Sequence, residues 1–141
     1  MYSTEIKAQE QAICHLFFHC CLKDNVFSDP ELTEVSSRLV DVGLYKTLDF
    51  KTEVQRYQAY KSTITDEAAY LEFLVKMIMP VNNLALYSYC VELILSDSTL
   101  SAGEESLMLK LAVLLDISPE EQSVTKKLVA QRKVVKSEHI V

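Results

Sequence analysis

Apolar residues in this chain recur three and four positions apart over long stretches, the spacing that puts them on one face of a helix. Ile13, Leu16, Phe17, Cys20 and Cys21 follow it and predict a first helix from Ser3 or Thr4 to about Lys23. Ser28 and Glu31 then read as a capping box, in which the serine hydroxyl accepts from the amide three residues on and the glutamate reaches back. Pro30 suits the first turn. A second helix continues through Val35, Leu39 and Val42 to a stop at Gly43. A third follows Asp49 through Val54 and Tyr57 to about Lys61. Thr65 caps a fourth, "DEAAYLEFLVKMIM", which Pro80 ends, and Asn82 or Asn83 caps a fifth, "LALYSYCVELILS". Ser101 and Glu104 form a second capping box. The helix they open, "LMLKLAVLL", is apolar nearly all round and is expected to be the most buried. Ser118 with Glu121 forms a third box, opening a seventh helix towards Val134. No stretch alternates as a strand does. The predicted fold is all-α, a single compact domain over residues 1–141 built as a bundle of about seven helices.

The pattern repeats. "KDNVFSDPEL" at Lys23–Leu32 and "SDSTLSAGEE" at Ser96–Glu105 share Asp24/Asp97, Ser28/Ser101 and Glu31/Glu104. A shift of 73 residues also maps Ala12 on Ala85, Leu22 on Leu95, Val40 on Val113, Phe17 on Cys90, Cys21 on Ile94, Val35 on Met108 and Leu44 on Ile117. Apolar character survives where identity does not, so the chain reads as an internal duplication of a helix-turn-helix unit. Two such units are expected to pack on each other about a pseudo-two-fold axis.

Composition narrows the function. Of 141 residues, 49% are hydrophobic and only 2 are Gly and 3 Pro, which leaves no Gly-rich phosphate loop. The net charge of -6 disfavours nucleic acid. Lys126, Lys127, Arg132, Lys133 and Lys136 against Glu138 make the last stretch +4, so the rest carries -10. That basic end complements a helix dipole or an acidic partner surface. "MYSTEIKAQE" lacks a signal-peptide pattern, and no apolar run is long enough to span a membrane. A cytoplasmic location is expected, where Cys14, Cys20, Cys21 and Cys90 would be reduced and mostly buried. They show no C-x-x-C spacing.

Asp24 and Asp97 stand four residues before each capping serine, where capping does not require an acid. With Glu31 and Glu104 they read as an acidic patch for a divalent cation, calcium or magnesium being the hard cations that oxygen ligands suit. An EF-hand is excluded, since Val26 and Thr99 fall at the third loop positions and Asp29 and Ala102 at the sixth. Acidification would weaken such a site. His15 and His19, four apart, project from one helix face with the spacing that helical zinc sites use. The repeat puts Ser88 and Glu92 at the equivalent positions, so His19, Glu92 and the two Asp would converge if the repeated helices lie side by side. The plainer reading is a partly exposed His pair beside an apolar stripe. Tyr57, Tyr60, Tyr70, Tyr87 and Tyr89 read as core and rim. No nucleophile elbow and no H-E-x-x-H occurs.

"DNVFSDPEL", "DSTLSAGEE" and the following "LAVLLDISPEE" resemble the TerB-like tellurite-resistance family, over most of residues 8 to 134. The resemblance implies a duplicated all-helical fold. It also implies a stress-linked scaffold or metal-responsive module rather than an enzyme, with acidic positions at Asp24, Glu31, Asp97 and Glu104. The chain departs from the family's acid-Gly turn, with Asp24-Asn25 and Asp97-Ser98, and the family does not require His15 or His19. The expected function is a non-enzymatic interaction module with a divalent-cation site, its partner another protein or a second copy of the chain. The alternatives are a metal-free docking or structural domain and a small metal-dependent hydrolase using Cys or His.

Overall fold

The computed structural model describes residues 1–22, 29–95 and 101–137. These residues form eight α-helices and two short 3-10 turns, and no strand occurs among them. No helix among them is long and apolar enough to cross a membrane. The chain divides into two compact units, Met1–Val81 and Asn82–Val141.

The first unit holds α1 (Tyr2–Glu5), α2 (Gln9–Leu22), α3 (Asp29–Asp41), α4 (Phe50–Tyr60) and α5 (Glu67–Ile78). The single first helix expected from the apolar pattern is two helices. At the break Ile6 adopts extended backbone (φ -102°, ψ 112°) and is 1% exposed. The Gln11 side chain bridges the gap: its Oε1 accepts from Lys7 N at 3.0 Å and its Nε2 donates to Glu5 O at 3.4 Å. The turn carries Tyr2 onto Tyr70, edge-on with centroids 4.8 Å apart, and beside Tyr60 and Phe73. Burial of Ile6 and these ring contacts offset the helical hydrogen bonds lost there.

Local chemistry sets the other boundaries. Asp49 caps α4 by accepting from Thr52 N at 3.3 Å. Asp66, not Thr65, caps α5, accepting from Ala69 N at 3.1 Å. Its carboxylate sits at the positive end of the helix, an advantage a threonine hydroxyl lacks. α5 ends at Ile78, Met79 turns left-handed (φ 48°), and Pro80 prevents continuation. Gln9 Nε2 donates to the terminal Ile78 O at 2.6 Å, tying the start of α2 to the end of α5. α2 is the centre of this unit, packed by α3, α4 and α5. Ala12, Cys14, Leu16, Phe17, Phe18, Cys20 and Cys21 are all buried.

The second unit holds α6 (Asn83–Ile94), α7 (Ala102–Leu114) and α8 (Pro119–Ser137), with α6 packed on both α7 and α8. Asn82 caps α6 through Ala85 N at 2.9 Å. Both halves of the expected box are made at Ser101 and Glu104, and again at Ser118 and Glu121, each bond 3.0–3.1 Å. α7 departs from its expected burial. Leu107, Met108, Leu111 and Ala112 are buried, but Leu109 is 58% and Val113 80% exposed. An all-apolar surface does not call neighbours to every side, and the most buried helix is α2.

The 73-residue offset recurs in local geometry. α3 at 29–41 and α7 at 102–114 superimpose in number. Gly43 (φ 77°) and Asp116 (φ 55°) both turn left-handed just past them. Gly43 N and Leu44 N donate to Val40 O and Leu39 O, at 3.0 and 2.9 Å. Asp116 N and Ile117 N donate to Val113 O and Ala112 O, at 3.3 and 2.9 Å. Both are the paired bonds of a Schellman ending. Val40 and Val113, matched by the offset, are both exposed.

Candidate functional site

Two features stand apart from ordinary packing, one in each unit. In the first, α2 turns His15 and His19 to one side, as residues four apart must. α4 presents Glu53, Tyr57 and Tyr60 along one face, and α5 adds Glu67 and Tyr70. His15 Nε2 lies 2.8 Å from Glu53 Oε1, and its Nδ1 lies 2.5 Å from Tyr60 Oη. His19 Nε2 lies 2.8 Å from Glu67 Oε2, and its Nδ1 lies 2.9 Å from Tyr57 Oη. Tyr60 Oη is 2.6 Å from Tyr70 Oη, and Gln11 Nε2 donates to Glu53 at 3.3 Å.

Proton directions follow from the donor inventory. A carboxylate only accepts, so each histidine donates from Nε2. A neutral ring then accepts at Nδ1 from the tyrosine hydroxyl. Tyr60, having given its proton to His15, accepts from Tyr70. The result is a directed chain, Tyr70 to Tyr60 to His15 to Glu53, with the contacts of His19 to Tyr57 and Glu67 beside it. His15 is held neutral chiefly by burial, which lowers its pKa against the opposing pull of Glu53. Burial likewise pushes the Tyr60 and Tyr70 hydroxyls well above their ordinary value.

Tyrosine–histidine–carboxylate order is one that orients a catalytic base, but these groups are sealed. His15, Tyr57 and Tyr70 are 0% exposed, Tyr60 3% and His19 4%. Cys14, on the same helix, is buried, and its thiol is driven far above neutrality by burial and then by Glu53. A thiol held protonated is a poor nucleophile. The network's chemistry is therefore cohesion: two polar chains fix how α2, α4 and α5 meet. All four cysteines are buried thiols.

The second feature is a groove of about 800 Å³ between α6 and α8. Leu84 and Ser88 of α6 form one wall, and Val124, Thr125 and Leu128 of α8 the other. Glu120 and Glu121 stand at one end, Gln131 and Arg132 at the other. Leu84, Val124 and Leu128 are 39, 54 and 53% exposed.

The metal residues expected from the sequence are distributed as follows. Asp24 and Asp97, with the capping serine Ser28, lie outside the described residues. Glu31 is half-buried in the first turn of α3. Glu104 closes the α7 capping box, accepting from Ser101 N. Glu92 faces Arg132 at 3.8 Å. His15 and His19 are buried rather than partly exposed, and both nitrogens of each ring face a hydroxyl or a carboxylate. Among the described residues no three His, Cys, Asp or Glu side chains gather as a metal site would require. The sequence reading missed Glu53 and Glu67 as the histidines' partners. The i, i+4, i+7 stripe of Glu53, Tyr57 and Tyr60 is the signal that marked a buried polar face. The groove was missed because nothing local distinguishes Leu128 from a core leucine.

No family model matches the chain, and no curated protein or solved structure matches it either.

Proposed function

We propose that the chain is a non-enzymatic, TerB-like helical interaction module that docks another polypeptide in the α6–α8 groove. The observation that carries this reading is the gathering of three exposed apolar side chains, Leu84, Val124 and Leu128, around one concavity. Single exposed leucines are ordinary, whereas a contiguous apolar concavity rimmed by charge is the usual form of a binding surface. The polar network supports the same reading from the other side, because its reactive groups are out of reach of a substrate. The test places a photo-crosslinking amino acid at Leu128, with the more exposed Val113 of α7 as control. A polypeptide adduct is expected from position 128 and not from 113. No adduct from 128, or equal adducts from both, ends the docking reading.

A further inference from the structure

We propose that the occupant of the α6–α8 groove is α8 of a second copy of this chain, docked antiparallel about a two-fold axis. The inference rests on the docking reading above and goes beyond it by naming the partner. It comes from the order of residues along α8. Glu120, Val124, Leu128 and Arg132 are spaced four apart, the row that forms a ridge on a helix surface. Val124 and Leu128 are about half exposed, Glu120 is exposed, and the Arg132 side chain is 54% exposed. The row therefore reads acid, apolar, apolar, base.

That order is self-complementary. Turned end for end about its midpoint, the row sets Glu120 against Arg132 of the other copy, Val124 against its Leu128, and the reverse. A two-fold interface demands this property of a single patch; a groove made for an unrelated helix has no reason to possess it. Antiparallel alignment also sets opposite ends of the two helix dipoles together. Arg132 can serve this contact. Its 3.8 Å approach to Glu92 is loose, and a guanidinium carries five donors in a fork. Leu84 on α6 supplies the outer wall, so the ridge of each copy lies in the groove of the other, as in a four-helix bundle.

Sedimentation velocity of the full chain tests this at low ionic strength. The native protein is expected to sediment as a dimer. Glu120→Arg and Arg132→Glu should each weaken dimerisation by about tenfold, because each creates two like-charge contacts. The double variant, which restores both pairs with signs exchanged, should recover most of that loss. Circular dichroism of all three checks that the helices remain. A native monomer overturns the proposal, and so does a dimer indifferent to the single variants or a double variant no better than the singles. If the chain is monomeric while Leu128 still crosslinks to a different polypeptide, the second copy is wrong and the docking reading stands. If neither occurs, both fall.

Discussion

α2 and α6 are related by the 73-residue offset of the sequence pattern, and the two helices have different surroundings. On α2, positions 15 and 19 carry histidines sealed among Glu53, Tyr57, Tyr60 and Glu67. On α6 the matching positions are Ser88, which lines an open groove, and Glu92, which faces Arg132. The contrast extends to the next position back. Cys14 is packed as a small hydrophobe. Its counterpart Tyr87 is 0% exposed, with a hydroxyl that finds no hydrogen-bond partner among the described residues. Burial raises the pKa of that hydroxyl. Around α2 the polar groups are paired and closed off, whereas α6 lines an open groove.

The comparison breaks most readily at the histidines. His15→Leu leaves the buried Glu53 carboxylate without its charge-assisted donor and should cost about 3 kcal/mol, the upper end for a hydrogen bond to a charged group. Ser88→Leu, at the matching position, should stay within about 0.5 kcal/mol, the ordinary range for a change away from such a network. Denaturant unfolding of both variants measures the difference. Comparable losses would show that the network does not distinguish the two helices.

The tyrosines should differ in sign. Tyr60→Phe removes the donor to His15 and the acceptor for Tyr70, and should cost about 1–3 kcal/mol. Tyr87→Phe removes a buried hydroxyl that has no partner among the described residues and should be neutral or stabilising. Equal destabilisation by the two, in the same unfolding assay, would contradict the hydrogen-bond directions assigned above.

The smallest effect is on pH. Because the His15 pKa in the fold lies below its ordinary 6.5, the unfolded chain binds the extra proton first as pH falls. The stability contributed is complete above pH 6.5 and is lost as pH drops from there through the folded value. The slope from this residue is at most about 1.4 kcal/mol per pH unit. Unfolding midpoints at pH 7.5, 6.5 and 5.5 should fall in that order. His15→Gln should flatten the trend. A native protein whose stability is level or rises on acidification would refute the neutral, buried assignment of His15.

Much of the helical layout was legible because caps and breaks are local. A serine and a glutamate three residues apart specify a helix start whatever surrounds them, and Ser101–Glu104 and Ser118–Glu121 did so. Gly43 and Pro80 marked helix ends for the same reason. The one-residue slip from Thr65 to Asp66 came from adjacent residues that both cap well. The break at Ile6 was illegible because it is stabilised at a distance, by rings on α4 and α5 that Tyr2 reaches only after the turn. Neither pairing of the histidines was readable either. Their carboxylate partners lie 38 and 48 residues further along the chain.

The sequence by itself determined the all-helical class and most of the helix starts and ends. Each of these depends on residues within a turn or two of one another, where spacing alone fixes geometry. Only the tertiary structure decided which faces close and which stay open. Burial belongs to what packs on a face. α7, apolar nearly all round, keeps Leu109 and Val113 exposed, while α2 takes two histidines into its core because α4 and α5 bring glutamates and tyrosines to meet them.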